Sequence, residues 1–359
     1  MSIPQTLHPK LSPSLLGQAV PLILDWYDNA KKPLPWRQKP TPYHVWISEI
    51  MLQQTRTAAV IPYYERFLAA IPNIQALADI RDDELMKLWE GLGYYSRARN
   101  LKKAAQKIVS DFGGELPKTA KELKTLSGIG AYTAGAISSI AFGEPSAAVD
   151  GNVLRVIMRL CACFDDIMLL STKNHVKDAL EKVYPSGKQA GMLTEALMEL
   201  GENICIPNGE PKCLDCPLSE ICLALKTNTR TQLPVRTPKK PRRIETRTVL
   251  LLRCGKNYAL CKRADSGLLA GLWEFPNIEG KLCDDDILAA ARKLGAKPTS
   301  YVSLGNATHI FTHIEWHMTG YLVECDSLPS DMIPAPSNKI QTDYAIPRAF
   351  HAYTKQILS

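Results

Sequence analysis

Apolar residues recur at helical spacing through the first two-thirds of the chain. SLLGQAVPLILDWYDNAKK (14–32), TPYHVWISEIMLQQTRTAAVIPYYERFLAAI (41–71), DDELMKLWEGLGYYSRARNLKKAAQKIVSDF (82–112) and GNVLRVIMRLCACF (151–164) all carry that spacing, which predicts helices. Glycine and proline punctuate the joints, as in FGGELPKT and FGEPSAA. The pattern stops at KTNTRTQLPVRTPKKPRRIETR (226–247), which is basic, proline-bearing and nearly free of apolar residues. Such a stretch predicts an extended linker. Beyond it the period changes. TVLLLRCGKNYALCKRA (248–264) predicts a hairpin turning at CGKN, and HIEWHMTGYLVEC (313–325) predicts another strand. DDDILAAARKLG (284–295) predicts one helix with aspartate at its start. The expected organisation is a mainly α domain over 1–225, a linker over 226–245 and a smaller α+β domain over 246–359, with no fixed-period repeat.

Length and composition agree with two domains. A chain of 359 residues exceeds one ordinary core. Lys plus Arg number 43 against 36 Asp plus Glu, so the net charge is +7. That balance permits a nucleic-acid partner without requiring one. The basic run at 226–247 is either a solvated tether or a segment lying along a DNA backbone, and both readings stay open. No apolar run reaches the roughly 18 residues that span a bilayer. The first 20 residues lack the basic-then-apolar order of a secretory signal. The expected compartment is reducing and cytoplasmic, on the nucleoid in a bacterial host. Ten cysteines there point to metal, cluster or core roles before disulfides.

Four of those cysteines crowd into CIPNGEPKCLDCPLSEIC: Cys205, Cys213, Cys216 and Cys222. Proline and glycine turns between them let four thiolates converge on one centre, zinc or iron–sulfur. Zinc sites more often pair two C-x2-C units, and only Cys213 and Cys216 are so paired, which tilts the expectation toward iron–sulfur.

LSGIGAYTAGAI (126–137) carries the next chemistry. It lacks the Lys-Ser/Thr ending of a nucleotide-binding P-loop, and no strand precedes it, so neither a P-loop nor a Rossmann reading holds. Helical TAKELKTL precedes it. Helix, Gly128-Ile129-Gly130 turn and helix make a hairpin whose free N–H groups suit one phosphate oxygen. By itself the stretch reads as a plain helix–helix turn. Two carboxylates stand out. Glu49 in VWISEIMLQQT has Trp46, Ile47, Ile50, Met51 and Leu52 around it, and desolvation there raises a carboxyl pKa. Asp150 in AAVDGNVLRV stands between an apolar, strand-like run and a helix, as an N-cap does. One protonated and one ionised carboxyl are the pair that breaks a glycosidic bond through an oxocarbenium-like state. Locally, a surface Glu and a plain cap explain the same residues.

Hairpin, downstream Asp and four-cysteine loop, in this order, resemble the helix-hairpin-helix DNA glycosylases of the endonuclease III superfamily over residues 14–225. Within it, WISEIMLQQT, WEGLGYYSRARNL, GIGAYTAGAI, VDGNV and LMELGENIC are similar to the MutY-type adenine DNA glycosylases. The resemblance implies base excision repair of adenine opposite 8-oxoguanine or guanine in double-stranded DNA. Glu49 would protonate the flipped adenine and help activate water, while Asp150 would stabilise, or bond covalently to, the sugar carbon. Tyr132 and Asn152 would support that state. Trp36, Arg37, Glu195 and Met198 would line the adenine pocket. Leu52, Gln54 and Tyr94 would wedge into the duplex, and Gly128 and Gly130 would hold a phosphate beside the lesion. Bifunctional relatives place a lysine where this chain has Tyr132, and a phenol forms no Schiff base, so base removal without strand cleavage is implied. The four cysteines match the family's [4Fe–4S] ligands, although seven residues separate Cys205 from Cys213 where the family has six.

GLLAGLWEFPNIEG (267–280) resembles the Nudix-like recognition domain of the same family, and DDDILAAARKLG lacks the acidic box that hydrolysis by a Nudix enzyme needs. Binding without hydrolysis is implied. Phe311, Thr312 and His313 stand where the family reads 8-oxoguanine through Phe-Ser-His, with threonine keeping the hydroxyl. A monomer is expected, with no membrane partner and with replication or mismatch-repair factors as possible contacts. Three competing readings are a thymine-mismatch glycosylase, which the C-terminal domain argues against, a bifunctional pyrimidine-lesion enzyme, which Tyr132 disfavours, and a non-catalytic, cluster-bearing DNA-binding or redox-sensing protein, which the two carboxylates disfavour.

Overall fold

The computed structural model describes residues 11–38, 40–238 and 241–357. The first ten residues of the N-terminal stretch and the Lys239-Lys240 pair of the basic run lie outside them. The helices are α1 (Pro13–Ala30), α2 (Pro35–Gln38), α3 (Pro42–Leu52), α4 (Thr57–Ala70), α5 (Ile74–Asp79), α6 (Asp82–Leu88), α7 (Ser96–Phe112) and α8 (Ala120–Leu123). They continue with α9 (Ala131–Phe142), α10 (Gly151–Leu160), α11 (Leu170–Glu181), α12 (Lys188–Asn203) and α13 (Leu223–Lys226). After the strands β1 (Arg243–Cys254), β2 (Asn257–Lys262), β3 (Trp273–Glu274) and β4 (Asn277–Glu279) come α14 (Ile287–Lys293), β5 (Pro298–Ile310), β6 (Ile314–Cys325), β7 (Ile333–Pro336), α15 (Ser337–Asp343) and α16 (His351–Ile357). The chain divides into a helical unit, 1–79 with 100–238, and a sheet unit, 80–99 with 239–359.

In the helical unit, α1, α10, α11 and α12 enclose one core built on Leu16, Ile23, Tyr27, Ile157, Leu193 and Leu197. The long apolar run at 41–71 is broken into α3 and α4. Gln54 sits between them with φ 58°, in the left-handed region that ends a helix. The run at 82–112 is broken likewise around Gly91, Gly93 and Tyr94, all at positive φ. The strand-like AAV before Asp150 forms no strand. The linker stretch is tied to this unit at its start. Leu233 is buried, its carbonyl accepts from Arg159 Nε at 2.9 Å, and Val235 O accepts from Ile167 N at 3.1 Å.

The sheet unit is α+β. Its sheet runs β3-β2-β1-β6-β5, with β4 on β1 and β7 on β2. The expected hairpin forms with Cys254 opposite Asn257. β1 and β6 pair in parallel and the other pairs are antiparallel, so the sheet is mixed. One face packs Trp316, Phe275, Phe350 and Tyr353, and the other packs α14 through Ile287 and Ala291. Gly320 permits the first of these layers. A Cβ there would lie 2.2 Å from the Tyr353 ring.

Candidate active site

Local sequence and burial together make the Glu49 pocket. Thr41 caps α3 by accepting from His44 N, and Pro42 starts it. The helix is buried nearly all round, so Glu49, in its second turn, is only 5% exposed. Burial pushes its carboxyl up to about 7, with a smaller push from the charges of Glu195 and Asp150. Tyr132, on the first turn of α9, donates to Glu49 Oε2 at 3.1 Å and pulls the other way. Its own phenol is held far above the usual range by burial and by Glu49. Glu49 therefore keeps its proton to a higher pH than an ordinary carboxyl, and it is buried on the wall of a pocket of about 180 Å³.

Asp150 lines the same pocket from the N-cap of α10. Its Oδ1 accepts from Val153 N at 2.7 Å and its Oδ2 from Asn152 Nδ2 at 2.9 Å. Burial raises its pKa, and these bonds with Arg155 oppose the rise. Asn152 is held in turn: Arg155 Nη2 donates to its Oδ1 at 2.8 Å and to Gly201 O at 2.6 Å. α12 approaches so closely that a Cβ on Gly201 would sit 2.6 Å from Asn152 Cβ. Trp36, Arg37, Leu52, Glu195 and Met198 also line it. Arg37 Nε donates to Glu195 Oε1 at 3.1 Å, its Nη1 to Glu199 Oε2 at 2.9 Å, and Tyr27 OH to Glu195 Oε2 at 2.9 Å.

The glycine turn follows the expected shape. Gly128 has φ 78°, and a Cβ there would lie 2.7 Å from Asn100 Cβ. Ile129 is buried and anchors the loop. Gly130 caps α9 with no side chain on the first helical N–H groups, which leaves them for a ligand. Gln54 is exposed, outside the pocket. In the sheet unit, Phe311 to His313 form the turn from β5 to β6, closed by Phe311 N to Ile314 O at 2.8 Å. Phe311 packs edge-on to Trp316 at 5.0 Å, while Thr312 and His313 are exposed. Tyr94 and Thr312, 218 residues apart, meet hydroxyl to hydroxyl at 3.1 Å. A residue expected to wedge into the duplex and one expected to read 8-oxoguanine thus share one unit.

The four cysteines line one small cavity in the helical unit. The long first gap is taken up by a turn through Gly209, φ 78°, closed by Lys212 N to Ile204 O at 3.0 Å. Arg159 Nη1 donates to Cys205 Sγ at 3.3 Å and Arg155 Nε to Cys205 O at 2.6 Å. Burial pushes the Cys216 thiol up to about 12 and raises Cys213 and Cys222. Such thiols ionise only against a metal's charge. Among the described residues, no group of three or more Cys, His, Asp or Glu is already arranged to hold a metal ion. Four thiols round one cavity, with Arg155 and Arg159 bonded to Cys205, supply the donor set of an iron–sulfur or zinc centre.

Comparison with known proteins bears on these sites. Residues 47–186 match the HhH-GPD superfamily of base excision DNA repair proteins, and 248–356 match the NUDIX domain. The adenine DNA glycosylase of Mus musculus is 34% identical over 87% of this chain and 72% of its own length. That of Buchnera aphidicola (Baizongia pistaciae) is 36% identical over 84% and 83%. The chain belongs to the adenine DNA glycosylase family. Solved structures agree over the helical part. A thermostable thymine-DNA glycosylase is 28% identical with a TM-score of 0.52, covering 60% of this chain and 98% of its own. Endonuclease III in a non-covalent DNA complex is 26% identical, also with a TM-score of 0.52, over 61% and 99%.

This glycosylase carries pocket residues that sequence reasoning passed over. Lys32, Leu34, Thr55, Arg56, Thr57, Glu199 and Glu202 also line the wall. Glu199 had a signal. It follows Glu195 by four residues on α12 and so shares its face. Lys32 and Arg56 had none, because they reach the pocket from the loops between helices. No helix among the described residues is long and apolar enough to cross a membrane.

Proposed function

We propose that this enzyme excises adenine opposite 8-oxoguanine or guanine and leaves the DNA backbone intact. The observation that carries the reading is the buried Glu49 carboxyl at about 7, beside Asp150 in one pocket. The adenine leaves the base stack, at a cost of a few kcal/mol, and enters that pocket. Protonated Glu49 gives its proton to the adenine ring, so the electrons of the breaking glycosidic bond leave with a neutral base. Asp150 faces the resulting sugar cation, with Asn152 and the Val153 N–H fixing its orientation. Water then adds to the sugar carbon and returns a proton to Glu49. Tyr132 tunes Glu49 and supplies no amine, so no Schiff base links enzyme to DNA. Gly128 and Gly130 hold a backbone phosphate, and Leu52, Gln54 and Tyr94 fill the duplex. The 246–359 domain, which lacks an acidic box, reads 8-oxoguanine through Phe311, Thr312 and His313 and does not hydrolyse nucleotides. Cys205, Cys213, Cys216 and Cys222 would hold a [4Fe–4S] cluster. That group supplies charge and rigidity to the loop at 205–222.

Single-turnover base release from duplexes holding A:8-oxoguanine, A:G, T:G or an oxidised pyrimidine, run on gels with and without alkali, tests this. The expected result is adenine loss, fastest opposite 8-oxoguanine, with breaks only after alkali. Cutting at thymine or pyrimidine, or breaks without alkali, would overturn it.

A further inference from the structure

Arg37, Glu195, Lys32 and Leu34 have two sides. They line the base pocket, and they also line a second cavity of about 400 Å³ in the same unit. The second cavity's other walls set apolar Pro33, Pro40, Ile140 and Met192 beside Tyr27, Lys31, Gln38 and Lys188. The partition between the two is therefore one layer of side chains. It is held by Arg37, which spans Glu195 Oε1 and Glu199 Oε2 with single bonds at 3.1 and 2.9 Å. Glu199 is 4% exposed, and its other oxygen, Oε1, is buried with no hydrogen-bond partner. A buried carboxylate oxygen without a donor is costly. A guanidinium already bonded to its neighbour can satisfy it by turning into the bidentate fork that arginine favours.

We propose that Arg37 is a gate and that the second cavity is the exit route of the excised base. The proposal rests on the adenine-excision reading. After the bond breaks, the sugar remains at the mouth of the base pocket with the DNA still bound. A free purine there is neutral and flat, and its way out past the sugar is blocked. Arg37 leaves Glu195 and closes on both oxygens of Glu199, and the partition opens. The purine then passes from a polar pocket into a slot whose proline, isoleucine and methionine walls suit a neutral heteroaromatic ring. No bond is made or broken in this step. Afterwards Arg37 returns to Glu195, where Tyr27 OH still holds the second carboxylate oxygen.

The test plugs the cavity without touching the catalytic groups. Met192→Trp and, separately, Ile140→Trp are made in the full chain and run in single turnover on an A:8-oxoguanine duplex with radiolabelled adenine. Alkali-sensitive sites report excision, and label passing a protein-retaining spin filter reports free base. In the wild-type enzyme both should rise together. In at least one plugged variant excision should stay within about twofold of wild type while free adenine lags about tenfold, since product escape is then the slow step. Free adenine keeping pace with excision in both variants, or excision slowed as much as release, overturns the exit route and leaves the excision reading standing. No adenine excised by the wild-type chain overturns both.

Discussion

The base pocket and the Phe311–His313 turn solve opposite problems. The pocket gathers Trp36, Glu49, Tyr132, Asp150 and Glu195 from five separate helices or helix caps, with Trp36 and Glu49 buried and the others half-buried. Its chemistry comes from that burial, which is what lifts Glu49 to about 7. The turn uses three consecutive residues, two of them exposed, at the end of a hairpin. Under the proposed reading it works through hydroxyl, imidazole and backbone groups presented outward. Acid catalysis demands desolvation, which only a packed fold provides. Reading a base edge demands accessible polar groups, which a local turn provides. Changes in the pocket should therefore cost rate, and changes in the turn should cost selectivity.

The largest effect should come from Glu49→Gln. The amide keeps the shape and cannot give a proton, so single-turnover excision should fall by about 10³-fold with DNA binding retained. Excision within a few-fold of wild type would remove the acid role. Next is pH. Excision should fall about tenfold per unit above pH about 7 as Glu49 ionises. Stability should follow the same group. Its folded pKa exceeds the ordinary 4.5, so the native state binds more protons between the two values. Wild-type stability is then full below 4.5 and declines as pH rises through about 7, by about 3 kcal/mol. Urea melts at pH 5 and pH 8 should show that loss in wild type and not in Glu49→Gln, and equal losses in both would assign it elsewhere.

Tyr132→Phe sharpens the comparison within the pocket. The phenol stabilises ionised Glu49, so its loss should move the decline in the rate profile to higher pH. The rate at the optimum should drop about fivefold, the worth of one ordinary hydrogen bond. A profile shifted to lower pH contradicts the geometry. The smallest effect belongs to the turn. Thr312→Ala should lower the preference for 8-oxoguanine over guanine by about threefold and leave excision from A:G unchanged, because only one exposed hydroxyl is lost. Equal losses on both duplexes would make the turn a general contact and not a reader.

Much of this was legible in the chain. Helical period, the hairpin at Cys254–Asn257, the Asp150 cap and the cysteine cluster are local features, set by residues a few positions apart. The breaks at Gln54 and around Tyr94 were harder to see. Gln54 marks no stop by residue type and adopts positive φ only in context. The grouping of 80–99 with the C-terminal part was not legible either. It rests on contacts such as Lys262 to Asp83 at 2.8 Å and Tyr94 to Thr312 at 3.1 Å, between residues more than 170 apart.

Which side chains were available was fixed along the chain: two carboxylates, a phenol at position 132, four thiols and a glycine turn. Packing of distant segments decided that Glu49 is buried on a pocket wall, that Arg37 is shared between Glu195 and Glu199, and that Arg155 ties Asn152 to the cysteine loop. The physical reason is range. Caps, turns and periodicity act over a few residues, whereas desolvation and charge pairing depend on whatever the fold brings within a few ångströms, however distant in the chain.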